Sequence, residues 1–235
     1  MRARMTPPCP ILDLSEYPER FGAAYDIYET SLPAAERKSR GDIEALLTRD
    51  DYALSVAISD TAVVAISIVY VDRTHQFGLL EYMATRPDCR NMGLGLALFE
   101  HALATCRNRT LLIEVESVSG APRERATQQR RQAWYTRLGC HRLTGLNYCM
   151  PQLQNLPPPP LDLMYHPNGR QTPPREADLR AWISSIYSNV YGLDDNQDIV
   201  EAMFSSLNND SSSGSSTAVS VTIFHSPSIL RQTVT

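Results

Sequence analysis

The chain predicts an α/β fold of the α+β kind: a mixed, mostly antiparallel central sheet flanked by helices, then a C-terminal helical hairpin and a flexible tail. Three observations carry that prediction. Two β-branched runs, Tyr52 to Ile58 and Ala62 to Tyr70, flank Ser59-Asp60-Thr61 and read as a hairpin. Runs at helical spacing alternate with apolar runs of strand length from residue 11 to residue 165. An apolar strand, Gly78 to Thr85, leads through a glycine pair into a helix-like run from Leu96 to Leu103.

Along the chain, Ile11 to Leu14 is a short strand. Phe21, Tyr25 and Tyr28 recur at helical spacing, and Pro33 ends that helix. Asp42 is the candidate cap of a second helix carrying Ile43, Leu46 and Leu47. After the hairpin, polar Asp72 to Gln76 turns the chain into the strand 78–85. A helix over 95–105, a strand over 111–116 and a polar link from Ser117 to Pro122 follow. Residues 124–138 form an Arg- and Gln-rich helix that ends at Gly139. Strands near 141–149 and 161–165 come next, joined across the stiff run Pro157 to Pro160. Leu179, Trp182, Ile183, Ile186 and Val190 make one stripe of a helix over 175–190. Asp194 or Asp195 would cap a further helix with Ile199, Met203 and Leu207. Asn208 to Thr217 is Ser- and Asn-rich and reads as flexible, and Ala218 to Phe224 is a weak strand candidate. The expected division is 1–167, 168–207 and 208–235.

Composition narrows the functional classes. The chain has 235 residues, 43% of them hydrophobic, enough for a real core. A net charge of -4 leaves no basic footprint, so nucleic acid is not an expected partner. No run approaches the ~18 apolar residues of a membrane span. The basic start, Met1 to Pro8, has no apolar stretch behind it and does not read as a secretory signal. Five scattered cysteines and five histidines show neither Cys-x-x-Cys nor His-x-x-x-His, so neither a disulfide framework nor a metal site is expected. A reduced, cytoplasmic compartment is the expectation.

The junction Arg90-Asn91-Met92-Gly93-Leu94-Gly95 says most about function. Glycines at a strand-to-helix turn let several backbone N–H groups meet a phosphate at a helix start. A P-loop needs a Lys after the second glycine, and none follows Gly95. A Rossmann fingerprint needs a third glycine where Leu98 stands. Glu114 and Glu116 do lie roughly 20 residues on, where that motif wants an acid. Its first turn is tighter than Arg86 to Asn91 allows, and no second βαβ unit follows. The remaining reading is an Arg-x-x-Gly-x-Gly loop of the acyl-CoA-binding type.

At these residues the chain resembles the GNAT superfamily of N-acetyltransferases. One motif is Met83 to Gly95, similar to that family's strand, Pro-containing link and Arg-x-x-Gly-x-Gly loop. The other is Trp134-Tyr135-Thr136-Arg137-Leu138-Gly139-Cys140, similar to its aromatic-Tyr-x-x-Leu-Gly-aromatic signature. The strand 111–116 lies between them, and the resemblance covers about residues 10 to 167.

The resemblance implies acetyl transfer from acetyl-CoA, as cosubstrate and without a metal, to a small-molecule or protein amine in a ternary complex. Arg90, Asn91, Met92, Gly93, Leu94, Gly95 and Leu96 would meet the pyrophosphate. Met83 and Thr85 would pair with the pantetheine arm, and the strands 78–85 and 111–116 would splay apart around the thioester. Tyr135 would protonate the leaving thiolate; packing is its other reading. Glu81, Glu116 and, with less claim, Glu114 are candidate bases, because a carboxylate inside an apolar strand is exposed, paired or functional. Pairing with Arg130 or Arg131 is the plainer alternative. Arg123, Glu124, Arg125, Arg130 and Arg131 read first as a solvated helix face and second as an anion site. Glu36 and Arg37 fall where relatives shape the acceptor pocket. Cys89 and Cys140 are structural. A non-catalytic acyl-CoA sensor or scaffold is the competing reading. Both motifs precede residue 168, so residues 168–235 are expected to carry no chemistry and to dock on their own domain or on a partner copy, a homodimer being one outcome.

Overall fold

A computed structural model of the protein describes residues 9–152 and 160–210, apart from the side chains of residues 35 and 205–210. The prolines 157–159 and the tail beyond residue 210, with its weak strand candidate, lie outside the described residues.

The β-branched runs form long paired strands. β2 (Tyr52–Ser59) and β3 (Ala62–Asp72) make the expected hairpin, with Asp60 at φ 54 in its turn. β1 (Ile11–Asp13) adds to β2, and β4 (Phe77–Thr85) adds to β3. β5 (Thr110–Glu116), β7 (Leu161–His166) and the two-residue β6 (His141–Arg142) complete the sheet. The order is β1-β2-β3-β4-β5-β7-β6. Every pair is antiparallel except β4 with β5, which are parallel and joined by the crossover helix α3 (Leu94–Cys106).

Helices cover both faces of the sheet. α1 (Phe21–Ser31), α2 (Arg40–Ala45), α5 (Glu176–Asn189) and α6 (Gln197–Asp210) lie on one face. There Ile66 and Ile68 pack with α1, and Tyr70, Leu79 and Leu112 pack with α5 and α6. α3 and α4 (Pro122–Arg137) lie on the other face, against Val69, Leu80, Ile113 and Val115. α4 ends as expected: Gly139 stands at φ 93, and Cys140 N–H reaches the Tyr135 carbonyl at 3.1 Å.

All five α5 stripe residues, Leu179 to Val190, are buried. Trp182 stacks on Phe77 with ring centroids 5.4 Å apart, and its Nε1 donates to the His75 carbonyl at 3.0 Å. The hairpin therefore buries its stripe against the same sheet, in one continuous cluster.

Four local expectations are corrected. Ser39, not Asp42, caps α2; Asp42 returns the bond to Ser39 N–H at 3.2 Å, closing a capping box. Only 141–142 of the expected strand 141–149 pairs as one, because the segment beyond leaves β7 to meet α5 and α6. α6 starts after Asn196, whose carbonyl accepts from Val200 N–H, so neither Asp194 nor Asp195 caps it. α6 buries Val200, Met203 and Phe204 while Ile199 is exposed, and it runs to Asp210, into the stretch read as flexible from Asn208.

Candidate active site

The first part of the site is the junction after β4. Arg86 N–H still bonds the Val64 carbonyl at 2.9 Å, and then the chain leaves the sheet in a short 3₁₀ turn over Pro87–Cys89. Gly93 caps α3 at φ 80, a backbone state that costs an L-residue about 1–2 kcal/mol. Its carbonyl accepts the first helical bond, from Ala97 N–H at 3.0 Å. The amides of Leu94, Gly95 and Leu96 thus have no helical acceptor and point out of the helix start. The Leu94 side chain is buried among Ala65, Val64 and Leu98 and fixes the helix end to the sheet. Met92 and Leu96 are exposed beside the loop. The Trp134 ring lies 3.7 Å from where a Cβ on Gly95 would stand. An anion is the ligand such a helix start prefers.

The second part is the gap between β4 and β5. Their pairing covers only Phe77–Leu80 against Thr110–Ile113. Beyond it, Tyr82–Thr85 stays with β3 and Glu114–Glu116 stays with β7, so the two strands diverge. A bulge drives this. Ile68 pairs with Tyr82 but Val69 pairs with Leu80, leaving Glu81 as the extra residue of β4. Leu79 and Tyr82 consequently lie on one face although three apart, and Leu80 and Met83 lie on the other. A cleft of about 600 Å³ opens there. Met83, Thr85, Arg90, Trp134 and Tyr135 line one part of it; Tyr28, Leu32, Glu36, Lys38 and Tyr191 line another.

The three candidate carboxylates all line this cleft, in three different states. Glu81 is ion-paired with Lys38 at 2.5 Å and accepts from the Tyr52 hydroxyl at 3.1 Å. Glu116 is ion-paired with Arg131 at 2.7 Å, the plainer alternative that the sequence left open. Among the described residues Glu114 makes no ion pair. The Tyr148 hydroxyl donates to its Oε1, and the Tyr191 hydroxyl lies 2.9 Å from both of its oxygens. Burial pushes the Glu114 carboxyl up to about 7; the two phenols and Lys38 oppose the rise, and Glu81 adds to it. Glu36, also in the cleft, is raised by burial and by the nearby charge of Glu116.

Tyr135 is buried in the last turn of α4, packed edge-on against Phe99 at 5.7 Å and Trp134 at 4.9 Å. Among the described residues nothing bonds its hydroxyl. Burial, with Cys140 beside it, raises its phenol above the usual range, so the proton stays on. Cys140 itself is pushed up to about 12 by burial and is no nucleophile.

The expected residues thus gather round one cleft and its rim, except that Arg123, Glu124, Arg125 and Arg130 lie on the exposed face of α4 and Arg37 lines a neighbouring pocket. Sequence reasoning missed Lys38, Tyr52, Tyr148 and Tyr191. Lys38 did leave a signal: it is the only lysine among the 22 Lys and Arg of the chain. The tyrosines left none. Among the described residues no helix is long and apolar enough to cross a membrane, and no three His, Cys, Asp or Glu side chains are grouped to hold a metal.

The family model described as "Acetyltransferase (GNAT) family" matches residues 21–140, just over half of the chain. No curated protein sequence matches it. Among solved structures, a GNAT-family protein from Bacteroides thetaiotaomicron is similar over 78% of this chain and 99% of that one, with a TM-score of 0.65 and 20% identity. A ribosomal-protein alanine N-acetyltransferase from Escherichia coli is similar over 70% and 98%, with a TM-score of 0.51 and 22% identity. An aminoglycoside 6′-N-acetyltransferase complexed with coenzyme A is similar over 70% and 99%, with a TM-score of 0.53 and 12% identity. At these identities the likeness is one of fold.

Proposed function

The chain belongs to the GNAT family of acetyltransferases, and on that footing we propose that it moves an acetyl group from acetyl-CoA to a primary amine, by direct attack within a ternary complex. The observation that carries this reading is Glu114. It is a carboxylate raised to about 7, held by two phenols, at the point where β4 and β5 part. A base of that strength is half ionised near neutral pH and can take a proton from an ammonium or a water beside it.

The residues present fit the cosubstrate. The free amides at Leu94, Gly95 and Leu96, reached through Gly93 at φ 80, suit a pyrophosphate. Arg90 to Leu96 would hold it, and the edge of β4 at Met83 and Thr85 that β5 leaves uncovered would hold the pantetheine arm. Acetyl-CoA supplies an activated thioester carbonyl when bound. Glu114 accepts the amine proton at a carboxylate oxygen. Glu81, neutralised by Lys38, fixes the cleft wall next to it. Glu116, tied to Arg131, is the weaker candidate base. Tyr135, lining the cleft with its phenolic proton retained, delivers that proton to the departing sulfur. A small-molecule amine or a protein amine is the acceptor class. The five free thiols suit a reducing, cytoplasmic setting.

The test is release of free thiol from acetyl-CoA with a panel of amines, for the wild type and for Glu114→Gln. Amine-dependent release that the substitution suppresses is the expected result. Tight acetyl-CoA binding with no release for any amine would favour the sensor or scaffold instead.

A further inference from the structure

We infer that the segment after the two motifs completes the active site, with Tyr148 and Tyr191 as positioning residues that hold the Glu114 carboxylate in the cleft. This rests on Glu114 being the base. Both tyrosines lie beyond residues 21–140, the part matched to the family, and Tyr191 lies in the segment expected to carry no chemistry.

The two hydroxyls reach Glu114 from different elements. Tyr191 follows α5, where its N–H bonds the Ile186 carbonyl at 3.2 Å and the next turn closes from Leu193 N–H to the Tyr187 carbonyl at 2.9 Å. Tyr148 sits on an irregular segment, and α5 and α6 fix that segment. The Tyr187 hydroxyl donates to the Cys149 carbonyl at 2.6 Å, and Asn147 N–H donates to the Met203 carbonyl at 2.9 Å. The C-terminal hairpin therefore supplies one phenol and anchors the other.

Packing alone does not account for this convergence. A buried tyrosine needs a single acceptor, and any carbonyl serves. Here two phenols share one carboxylate that makes no ion pair among the described residues, while Glu81 and Lys38 act on it through their charge. Lys38 is itself committed to Glu81 and lies 5.6 Å from the Tyr191 ring centre. A carboxylate has about four acceptor positions, so two donors leave room for the amine proton. Two donors also fix the plane of the carboxylate and stabilise its ionised form. The charged groups acting on Glu114 are Glu81 from β4 and Lys38 from the α1–α2 link; the titratable ones are Tyr148, Tyr191 and, from α5, Tyr187.

Tyr191→Phe and Tyr148→Phe test it in the full chain, since each keeps the ring and removes one hydroxyl. We expect kcat to fall about tenfold at pH 7 with KM for acetyl-CoA unchanged. The acidic limb of the kcat profile should move up by about one pH unit. A ¹³C-carboxyl titration of Glu114 by NMR in the ligand-free chain should move by the same amount. In a Glu114→Gln background, Tyr191→Phe should cost nothing further. Unchanged titration and an unmoved acidic limb in folded Phe variants would overturn the inference and leave Glu114 as base intact. Full kcat in Glu114→Gln would instead remove the base, and the NMR titration would still decide whether the phenols hold that carboxylate.

Discussion

The two faces of the cleft are built by opposite means. The side proposed for the cofactor is local: fourteen consecutive residues, Met83 to Leu96, make a strand end, a turn and a helix start, and their backbone would do the binding. The side proposed for the acceptor draws on six separate segments: Lys38, Glu81, Glu114 and Tyr191 line it, and Tyr52 and Tyr148 bond Glu81 and Glu114. Backbone recognition of a phosphate tolerates many side chains but demands one conformation, and conformation writes itself into glycine. Side-chain recognition of an amine leaves its record in contacts far apart in sequence. A shared cofactor and a private acceptor suit that division of labour.

The largest effect should fall on the acceptor face. We expect Glu114→Gln to lower kcat by about 10³, with acetyl-CoA affinity nearly intact. Glu116→Gln, which only releases Arg131, should stay within a few-fold. Steady-state rates of both variants decide the assignment. Equal losses would mean that the proton leaves by another route.

Tyr135→Phe comes next, at about 10² in kcat. Phe keeps the contacts with Phe99 and Trp134. If the rate stays within about two-fold of wild type, Tyr135 is packing and the catalysis belongs to the acceptor face alone.

The cofactor face answers in affinity. Gly93→Val forces a β-branched residue to φ 80 and crowds the amides, so calorimetry should show acetyl-CoA binding weakened by at least about tenfold. Gly95→Ala has room beneath the Trp134 ring and should leave stability within about 0.5 kcal/mol. Unchanged affinity in a folded Gly93→Val chain would end the loop assignment.

These contrasts explain what the sequence disclosed. The order of elements and both motifs were legible because the hairpin, the helix caps and the Gly93 turn are local in origin. The bulge at Glu81 was not, because a period-two reading assigns faces by counting and one extra residue resets the count. The ranking of the carboxylates was not, because Arg131 and Lys38 reach Glu116 and Glu81 from other elements. The lone lysine was legible in the sequence, but its partner Glu81 was not, because the two are 43 positions apart and meet only in the fold.

The smallest effect concerns how the hairpin is fastened behind the acceptor face. Asp72, buried at the end of β3, accepts from the Ser185 hydroxyl of α5 and from His75 through both Nδ1, at 2.9 Å, and the backbone N–H, at 2.7 Å. Burial alone would raise its carboxyl; these bonds and the charge of His75 outweigh it and hold the group below its ordinary 3.8. A depressed folded value stabilises the fold above the unfolded value, and that contribution fades as pH falls through the folded one. Asp72→Asn keeps the shape and removes the charge, so it should cost about 1–2 kcal/mol at pH 7 in urea denaturation. The deficit should shrink as pH falls below 3.8 and the wild-type carboxylate takes up its proton. Cofactor affinity should not change, because the junction at Gly93 lies on the opposite face of the sheet. A deficit that persists undiminished through the acid range below 3.8 would mean that Asp72 holds the hairpin by shape and not by charge.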